Sequence, residues 1–405
     1  MKECREKRRI IAVIGKNYGD EGKGLVTASL CSFYAHPLII KHNGGAQAGH
    51  TVEDEKEGKR FIHHQIGSGA EYGADTLFSE SYHPDLFQLS KEVEDFEKLF
   101  GFLPKIFAEK NVTITTIDDV LINMALETKR GDKRHGSCGM GIDECVQRNS
   151  AGYAIRLCDI MGKSHREIFD LLKKLRQIYT TFRIKKLEID NTNPYFEMLN
   201  DENVLTNFAE IISKNIDLLR IVDADTDWLK SYDGIIFETG QGLLLDCDYL
   251  KNAPHLTSSK TGLSEPLKFL AKRNLELNEA IYVTRPYVTR HGAGPLPGEF
   301  KKEEFPNIQV DLTNEPNEWQ GHIRYAYHES IEEFIEPVLK DILYNEELLD
   351  GREIKPSLAV THLDETEGLI YFSDQNISFE ELVRILSARF DVFYYSDNRM
   401  NMTKI

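Results

Sequence analysis

The sequence predicts an α/β fold, with one large, mostly parallel twisted sheet and helices on both of its faces. The first observation is a short apolar run from Arg9 to Ile14, which ends at Gly15 and is typical of a buried strand. The second is the helical spacing of the apolar residues that follow, Val26, Leu30, Phe33 and Tyr34. The third is another apolar run, Pro37 to Lys41, so that residues 9–41 form a βαβ unit, which begins a parallel sheet.

A glycine-punctuated loop joins the first strand to the first helix, and it carries Asp20, Glu21 and Lys23 between Gly15, Gly19, Gly22 and Gly24. Glycine lets backbone amides approach a ligand, and the helix directs its positive end to the same place, so the loop resembles a P-loop and phosphate is the expected occupant. The spacing departs from the ordinary P-loop, because Asn17 stands at the position of the first glycine and Gly24 at that of Ser or Thr. The alternative is a plain strand-to-helix turn with a solvated Asp-Glu pair.

Composition indicates a globular protein and argues against nucleic acid as a partner. The chain has 405 residues, of which 41% are hydrophobic and 28% charged. With 49 basic against 66 acidic residues the net charge is −17, so most of the surface repels nucleic-acid phosphates. Six cysteines without C-x-x-C spacing, a charged N-terminus without an apolar signal core and no run of membrane-spanning length predict a soluble, cytoplasmic protein without a membrane partner.

A second glycine-bearing loop follows the strand at Pro37 to Lys41 and leads through Gly44, Gly45 and Gly49 to His50. Ligands of open α/β sheets bind at the carboxyl ends of strands, which is where this loop lies. His50 is therefore a candidate acid–base group, with a structural or merely exposed histidine as the alternative.

Residues 60–130 alternate strand-like with helical patterns. Strands are predicted at Arg60 to His64, Ile106 to Ala108 and Val112 to Thr115, and helices at Pro84 to Phe100 and Ile117 to Glu127. The following stretch, Lys129 to Arg148, is glycine-rich and basic at its start, which favours an anion contact; a solvated loop is the alternative.

Three later strands also end in polar, glycine-bearing loops: Asp233 to Glu238, Glu279 to Thr284 and Leu358 to Thr361. Together with the first two strands, this recurrence predicts one composite site at a single edge of the sheet. The hydroxyls of His255 to Gly262 suit phosphate or hydroxyl recognition.

We predict a single large α/β domain over residues 1–405, with a mainly helical insertion around 160–230. The insertion has long amphipathic patterns at Ser164 to Tyr179 and Asn203 to Leu219. The end of the chain adds a helix at Phe379 to Leu386 and a strand at Asp391 to Tyr395.

The assembled loops resemble the motifs of adenylosuccinate synthetase, the purine-pathway ligase that joins aspartate to inosine monophosphate with hydrolysis of GTP. The stretches that carry the resemblance, in the family's order, are NYGDEGKG, NGGAQAGHTV, ETGQGLLLD, HLTSSKTG, VTRHGAGPLPGE and THLD. They run from about residue 15 to residue 364 and are jointly specific.

The resemblance implies a nucleotide-dependent ligase acting through a 6-phosphoryl intermediate on IMP or a closely related 6-oxopurine nucleotide, giving adenylosuccinate, GDP and phosphate. It implies that Asp20 takes the proton from the purine N1 and, with the carbonyl of Gly49, contacts Mg²⁺. His50 would be the acid beside the transferred phosphoryl group. Lys23 would hold the phosphates, and Gln241 would hold the intermediate.

The same resemblance implies the binding residues and a homodimer in which Arg148 reaches the partner's site. For GTP they are Gly19, Gly22, Lys23, Gly24, Gly49, His50, Thr51 and Asp364, whose carboxylate would accept the guanine N–H groups. For the small-molecule substrates, a purine nucleoside monophosphate and aspartate, they are Asn43, Gln47, Ser137, Cys138, Arg148, Gln241, Thr257, Arg290 and Arg324.

The chain also departs from the family pattern. Gln47 stands in place of an asparagine, Ser137 and Cys138 in place of paired threonines, and His362 in place of a lysine. The aspartate-binding loop carries Arg324 alone instead of several arginines, although one bidentate arginine can clamp a carboxylate.

Three alternatives therefore stay open: a paralogue with another acceptor or amino acid, a phosphotransferase without the ligation step, and a nucleotide-binding regulator without catalysis. The retention of Asp20 and His50 argues against the regulator.

Overall fold

In the computed structural model, the described residues are 8–54, 57–131, 134–305, 307–308 and 321–405. Ten of their strands form one sheet, in the order β17-β16-β13-β9-β1-β8-β2-β5-β6-β7. Numbered along the chain, the strands are β1 (Arg9–Gly15), β2 (Pro37–Lys41), β3 (His50–Asp54), β4 (Lys59–His63), β5 (Asp75–Phe78), β6 (Ile106–Glu109), β7 (Leu219–Val222), β8 (Gly234–Gly242), β9 (Glu279–Thr284), β10 (Val288–His291), β11 (Glu299–Phe300), β12 (Ile323–Ala326), β13 (Ser357–Val360), β14 (Leu369–Tyr371), β15 (Asn376–Ser378), β16 (Val392–Tyr395) and β17 (Thr403–Lys404).

Every pairing in the large sheet is parallel except that of the edge strand β17 with β16. The predicted large, mostly parallel sheet is thus confirmed. The five strands whose ends were predicted to meet are adjacent to one another at the centre of this sheet, in the order β13-β9-β1-β8-β2.

Helices cover both faces of the sheet. Along β1, Ile10, Ala12 and Ile14 pack into one core with α11, α12 and α14, while Ile11 and Val13 pack into another with α1. The helices are α1 (Lys23–Cys31), α2 (Leu86–Phe100), α3 (Ile117–Arg130), α4 (Ile142–Ser150), α5 (Leu157–Ile160), α6 (His165–Leu175), α7 (Thr181–Lys186), α8 (Phe196–Asn200), α9 (Glu202–Asn215), α10 (Thr226–Leu229), α11 (Ser264–Ala271), α12 (Ile331–Tyr344), α13 (Glu346–Leu349) and α14 (Phe379–Leu386).

Local signals explain several of these boundaries. Asp85 caps α2 by accepting from two amides of its first turn, and Gly101 ends that helix in the left-handed conformation at φ 82°. Thr116 and Asp119 form a capping box at the start of α3. The helix predicted at Phe379 to Leu386 is confirmed as α14, capped by Ser378.

One predicted strand is not found, and another lies outside the large sheet. Residues 112–115 are not a strand: Thr113 makes one isolated bridge with Arg156, and the helix α3 begins two residues after the stretch ends. Arg60 to His64 is found as β4, which pairs with β3 in a separate antiparallel hairpin rather than in the large sheet.

The region around 160–230 is mainly helical, and its helices α6 and α9 pack into the same apolar cluster as α2. The predicted helix from Asn203 to Leu219 ends earlier, because β7 begins at Leu219 and pairs with β6 at the sheet edge. The extent of the domain stays a prediction. Within the described ranges, no helix is long and apolar enough to cross a membrane.

Candidate active site

A cavity of about 480 Å³ lies where the central strands end. Loops that follow β1, β8 and β9 line it, as do the loop between β2 and β3 and residues beyond β13. The predicted site residues that line it are Gly19, Asp20, Gly22, Lys23, Gly24, Gln47, Gly49, His50, Thr51, Ser137, Cys138, Gln241, Thr257, Arg290 and Asp364. One composite site at a single sheet edge is therefore what the fold produces.

The loop after β1 turns by means of left-handed residues. Gly19 and Gly22 have φ values of 105° and 87°, and Gly22 is the N-cap of α1. Asp20 is also left-handed, at φ 62°, and its carbonyl accepts a hydrogen bond from Arg285 Nε. The amino end of α1 is thereby aimed into the cavity, as an anion site requires.

The two glycine loops pack closely against one another at the amino end of α1. A Cβ added to Gly24 would lie 2.9 Å from the Cβ of His50. Only glycine allows this approach, so the missing Ser or Thr of an ordinary P-loop has a steric reason here.

Glu21 is the loop residue whose role the sequence did not indicate. Its carboxylate is buried: Oε1 accepts the amides of Asn17 at 3.0 Å and Gly19 at 2.8 Å, and Oε2 lies 2.8 Å from Lys23 Nζ. Glu21 therefore holds the loop from within, and it is not part of a solvated Asp-Glu pair. Asp20 alone of the two acids lines the cavity.

His50 is fixed by a buried chain of charges on neighbouring strands. Its Nδ1 lies 2.8 Å from Glu238 Oε1, and Glu238 Oε2 lies 3.1 Å from Lys41 Nζ. Because Nδ1 is engaged, Nε2 is the ring nitrogen that is left for a ligand in the cavity. Burial, opposed by Glu238, lowers the pKa of His50 to about 4. Burial acts to raise the pKa of Glu238, but Lys41 and His50 hold it well below its usual range.

Gln241 presents an unsatisfied acceptor to the cavity. It is left-handed at φ 63°, and its side-chain oxygen is buried without a hydrogen-bond donor among the described residues. A buried polar atom of this kind indicates a ligand group. The preceding Gly240 is held by Asn43, which bonds both its amide and its carbonyl. Asn43 thus supports the loop from behind and does not line the cavity.

Another wall of the cavity carries hydroxyls, a thiol and two imidazoles. Ser137 donates to Asn123 Oδ1, and burial raises the pKa of the Cys138 thiol to about 11, so that it is neutral. The rings of His135 and His255 stand 6.0 Å apart, and His255 Nδ1 bonds the His135 carbonyl. This wall offers mostly neutral donors.

The far end of the cavity is formed by the residues after β13 and the end of the chain. His362 has φ 58°, and its Nδ1 lies 2.7 Å from the Thr361 hydroxyl. Asp364 and Arg399 line the same end, and Arg399 is tied to Glu53 at 3.2 Å. The carboxylate of Asp364 can accept N–H groups of a bound base there.

Comparison with known proteins decides the family, since the family model described as adenylosuccinate synthetase matches residues 12–322. The chain belongs to the adenylosuccinate synthetase family. The adenylosuccinate synthetase of Thermosipho africanus is 28% identical over 296 residues, covering 72% of this chain and 67% of the relative. That of Trichodesmium erythraeum is 30% identical over 303 residues, covering 72% and 64%. The matching segment thus spans about two thirds of the length of these relatives.

Two solved structures share the fold. The fully ligated adenylosuccinate synthetase of Plasmodium falciparum superposes with a TM-score of 0.70 at 19% identity, over 97% of this chain and 99% of that one. The succinoaminodeoxyadenylate synthetase of cyanophage S-2L, bound to dGMP and to dATP as energy donor, gives 0.59 at 12% identity, over 98% and 95%. At these identities the likeness concerns the fold.

Arg148, which the resemblance to adenylosuccinate synthetases assigns to the partner's site, is buried within its own chain. It is 1% exposed, and its guanidinium donates hydrogen bonds to both carboxylate oxygens of Asp119 and to the carbonyls of Ile114 and Tyr153. Its place is structural, because α4 packs this side chain against the first turn of α3. It does not line the cavity and is not exposed to a partner in this conformation.

Arg324 also lies outside the cavity lining. It forms an ion pair with Glu299 and donates to the carbonyls of Gly292 and Gly294. It stands opposite Arg290 in the register of β10 and β12, and Arg290 does line the cavity. The first half of the loop expected to hold aspartate, residues 313–320 of 313–328, lies outside the described residues.

The sequence analysis missed three functional candidates of this adenylosuccinate synthetase family member: Glu21, Glu238 and Lys41. Each is a charged residue at the end of a predicted strand or within a glycine loop. A charge at the carboxyl end of an apolar strand is the signal that could have found Glu238 and Lys41, since such positions converge on the site edge.

Proposed function

We propose that this protein is a GTP-dependent ligase that joins L-aspartate to the 6-position of IMP, or of a closely related 6-oxopurine nucleotide. The reaction passes through a 6-phosphoryl intermediate and gives adenylosuccinate, GDP and phosphate. The observation that carries the proposal is the meeting, in one cavity, of a phosphate-type loop bearing Asp20 and a histidine, His50, held by a buried carboxylate. Membership of the family supports the same reaction.

The residues match the parts of the reaction. Asp20 removes the proton from the purine N1, which makes the 6-oxygen a nucleophile toward the γ-phosphate of GTP. Lys23 and the amides at the start of α1 hold the phosphates. Gln241 Oε1 has an open acceptor for a donor group of the intermediate. Aspartate's amine then displaces the 6-phosphoryl group.

His50 stabilises the charge of the transferred group through Nε2. Its pKa is about 4 in the protein alone, so the imidazole is neutral at pH 7. An anionic phosphoryl group beside the ring favours the protonated form and raises that pKa. Binding of the nucleotide therefore promotes protonation of His50, and that proton is then available to the departing phosphate.

The cavity also fits Mg²⁺. Asp20 and Gly49 line it together, and a carboxylate with a carbonyl oxygen is the hard-oxygen donor set that this ion takes in nucleotide sites. When bound there, Mg²⁺ neutralises charge on the phosphoryl oxygens. We propose Asp20 and the Gly49 carbonyl as its protein ligands.

We further propose that the protein acts as a homodimer in the cytoplasm, as expected from the resemblance. Arg148 is bonded to Asp119 in this conformation, so it would have to leave that carboxylate to reach the partner's site. Analytical ultracentrifugation with and without nucleotides tests the dimer, and a monomer at working concentration under both conditions contradicts it.

A defined mixture tests the function. The purified protein is incubated with Mg²⁺, GTP or ATP, one nucleoside monophosphate and one amino acid, and products are identified by mass. We expect phosphate release to require both IMP and aspartate. The panel includes dIMP, GMP and dGMP, because Gln47 and Cys138 depart from the family pattern beside the acceptor.

Each other outcome has its own meaning. Product formed from another monophosphate or amino acid shows an altered acceptor. Phosphate transfer without aspartate shows a phosphotransferase. Nucleotide binding without any turnover shows a regulator, and the ligase proposal fails.

A further inference from the structure

We propose that Glu238 and Lys41 are positioning residues for His50: Glu238 fixes the ring so that Nε2 faces the cavity, and Lys41 holds the Glu238 carboxylate in place. The proposal rests on the ligase function proposed above. The three groups stand in a row, with 2.8 Å between His50 Nδ1 and Glu238 Oε1 and 3.1 Å between Glu238 Oε2 and Lys41 Nζ.

The row is a product of the sheet. Lys41 and Glu238 are direct neighbours in the parallel register of β2 and β8, so their side chains leave the same face at the same level. His50 begins β3, at the far end of the loop that follows β2. Glu238 therefore joins the second glycine loop to the strand that carries Gln241.

Because the three side chains are buried, each charge depends on its partners for stabilisation. The side chains of Lys41, Glu238 and His50 are 4%, 0% and 7% exposed. Removing one partner of a buried ion pair leaves an uncompensated charge, which is strongly unfavourable. Glu238 Oε2 also accepts the amide of Ser68 at 3.3 Å, so the carboxylate has donors on both oxygens. Such a set is rigid, and a rigid carboxylate selects one tautomer and one ring orientation.

Other charged groups lie around His50. Across the hairpin, His63 of β4 is the register partner of His50, and its Nε2 lies 3.2 Å from Glu71. Asp20 lines the same cavity. Glu238 is the group that contacts the ring directly. Removal of Glu238 should therefore change which ring nitrogen carries the proton, whereas removal of Lys41 acts through the Glu238 carboxylate.

The test uses Glu238→Gln and Lys41→Gln, which keep size and polarity while removing one charge. The matched control is Glu279→Gln, since Glu279 is also a buried carboxylate, ion-paired with Arg9, at the amino-terminal end of β9, and β1 separates β9 from β8 in the sheet. Circular dichroism and thermal melts verify that each variant is folded.

The first readout does not depend on activity. Histidine labelled with ¹⁵N in the ring is incorporated, and NMR at one fixed pH shows which ring nitrogen of His50 carries the proton; the His50 signals are assigned from their absence in His50→Asn. We expect the proton on Nδ1 in the wild type and in Glu279→Gln, a loss of this preference in Glu238→Gln, and a smaller loss in Lys41→Gln. The wild-type tautomer in both Glu238→Gln and Lys41→Gln overturns the proposal.

The second readout is the rate. In Glu238→Gln we expect kcat to fall by about 10–100-fold, as when outer partners of ligand histidines are removed, with little change in the KM for IMP. Equal rates in Glu238→Gln and Glu279→Gln overturn the proposal even when the ligase is active. If the wild-type protein shows no ligase activity, the proposed function fails, while the NMR tautomer measurement still decides the role of Glu238. If Glu238→Gln does not fold, the tautomer in Lys41→Gln decides alone.

Discussion

Glu21→Ala should destabilise the whole protein and not only its phosphate loop. Glu21 and Lys23 are 1% and 2% exposed, and the carboxylate accepts two backbone amides besides the ammonium. Two unpaired buried amides cost about 1–3 kcal/mol each. Breaking a buried ion pair by removing one partner costs about 3–5 kcal/mol. The sum of these penalties is an upper value, because Lys23 borders the cavity and water can solvate it once Glu21 is removed. We therefore expect the free energy of unfolding to fall by about 3–5 kcal/mol.

Guanidinium chloride unfolding followed by circular dichroism measures this loss as a shift in midpoint at constant slope. The control is Glu210→Ala, which removes an exposed i,i+4 pair with Lys214 and should leave the unfolding midpoint almost unchanged. Glu21→Gln keeps one acceptor oxygen for the two amides and should lose less than Glu21→Ala. A midpoint for Glu21→Ala equal to that of Glu210→Ala would show that the carboxylate does not hold the loop, and the argument from burial would be refuted.

The remaining predictions concern the reaction and its pH dependence. Asp20→Asn and His50→Asn should each reduce kcat by about 10²–10⁴-fold with unchanged circular dichroism, because each removes a proton-transfer group; near wild-type turnover would exclude the assigned role. GTP should support turnover better than ATP, and Asp364→Asn should narrow the difference, since a carboxylate accepts two N–H groups of guanine that adenine lacks; equal use of both donors by the wild type contradicts this. Arg324→Ala should raise the KM for aspartate and not that for IMP, if its guanidinium leaves Glu299 to clamp the carboxylate; an unchanged KM places the clamp elsewhere. Burial raises the pKa of Asp341 to about 7 from 3.8, so between about pH 4 and 7 the folded state holds a proton that the unfolded state has released, and stability falls as pH rises. The free energy of unfolding of Asp341→Asn relative to wild type should therefore increase as the pH rises through this window. The same difference between the two denaturation midpoints at pH 5 and at pH 8 would contradict the shift.

The fold was largely predictable because it depends on apolar runs that alternate with helical patterns. The strand at Pro37 to Lys41 and the strand at Glu279 to Thr284 have the predicted bounds. The strand expected at residues 112–115 failed because α3 starts directly after it: Thr116 caps that helix, and the Thr115 hydroxyl donates to the carbonyl of His83. The edge strand β7 was missed because it follows a strongly helical pattern without a turn signal.

The site was predictable as a set of loops but not as a set of contacts. Glycine spacing located the loops, since backbone turning is a local property. The burial of Glu21 and Arg148 is not local: Arg148 pairs with a residue 29 positions away, and a basic residue near a glycine-rich stretch gives no indication of such a partner. Whether a charge faces a ligand or a buried counter-charge is decided by packing, which spacing alone does not contain.

The long sequence separations within the site tie its chemistry to the integrity of the sheet. His50 meets Glu238 across 188 residues, Glu238 meets Lys41 across 197, and the Asp20 carbonyl meets Arg285 across 265. None of these contacts can form until β1, β2, β8 and β9 are in register, because each charge leaves the end of a different strand or its loop. Glu238 and Lys41 are already paired before substrate arrives, and fixed charges of this kind favour electrostatic stabilisation of phosphoryl transfer. The same arrangement means that removing a single charge leaves its partner buried and unpaired, so for these residues a loss of rate has to be separated from a loss of folded protein before it is assigned to catalysis.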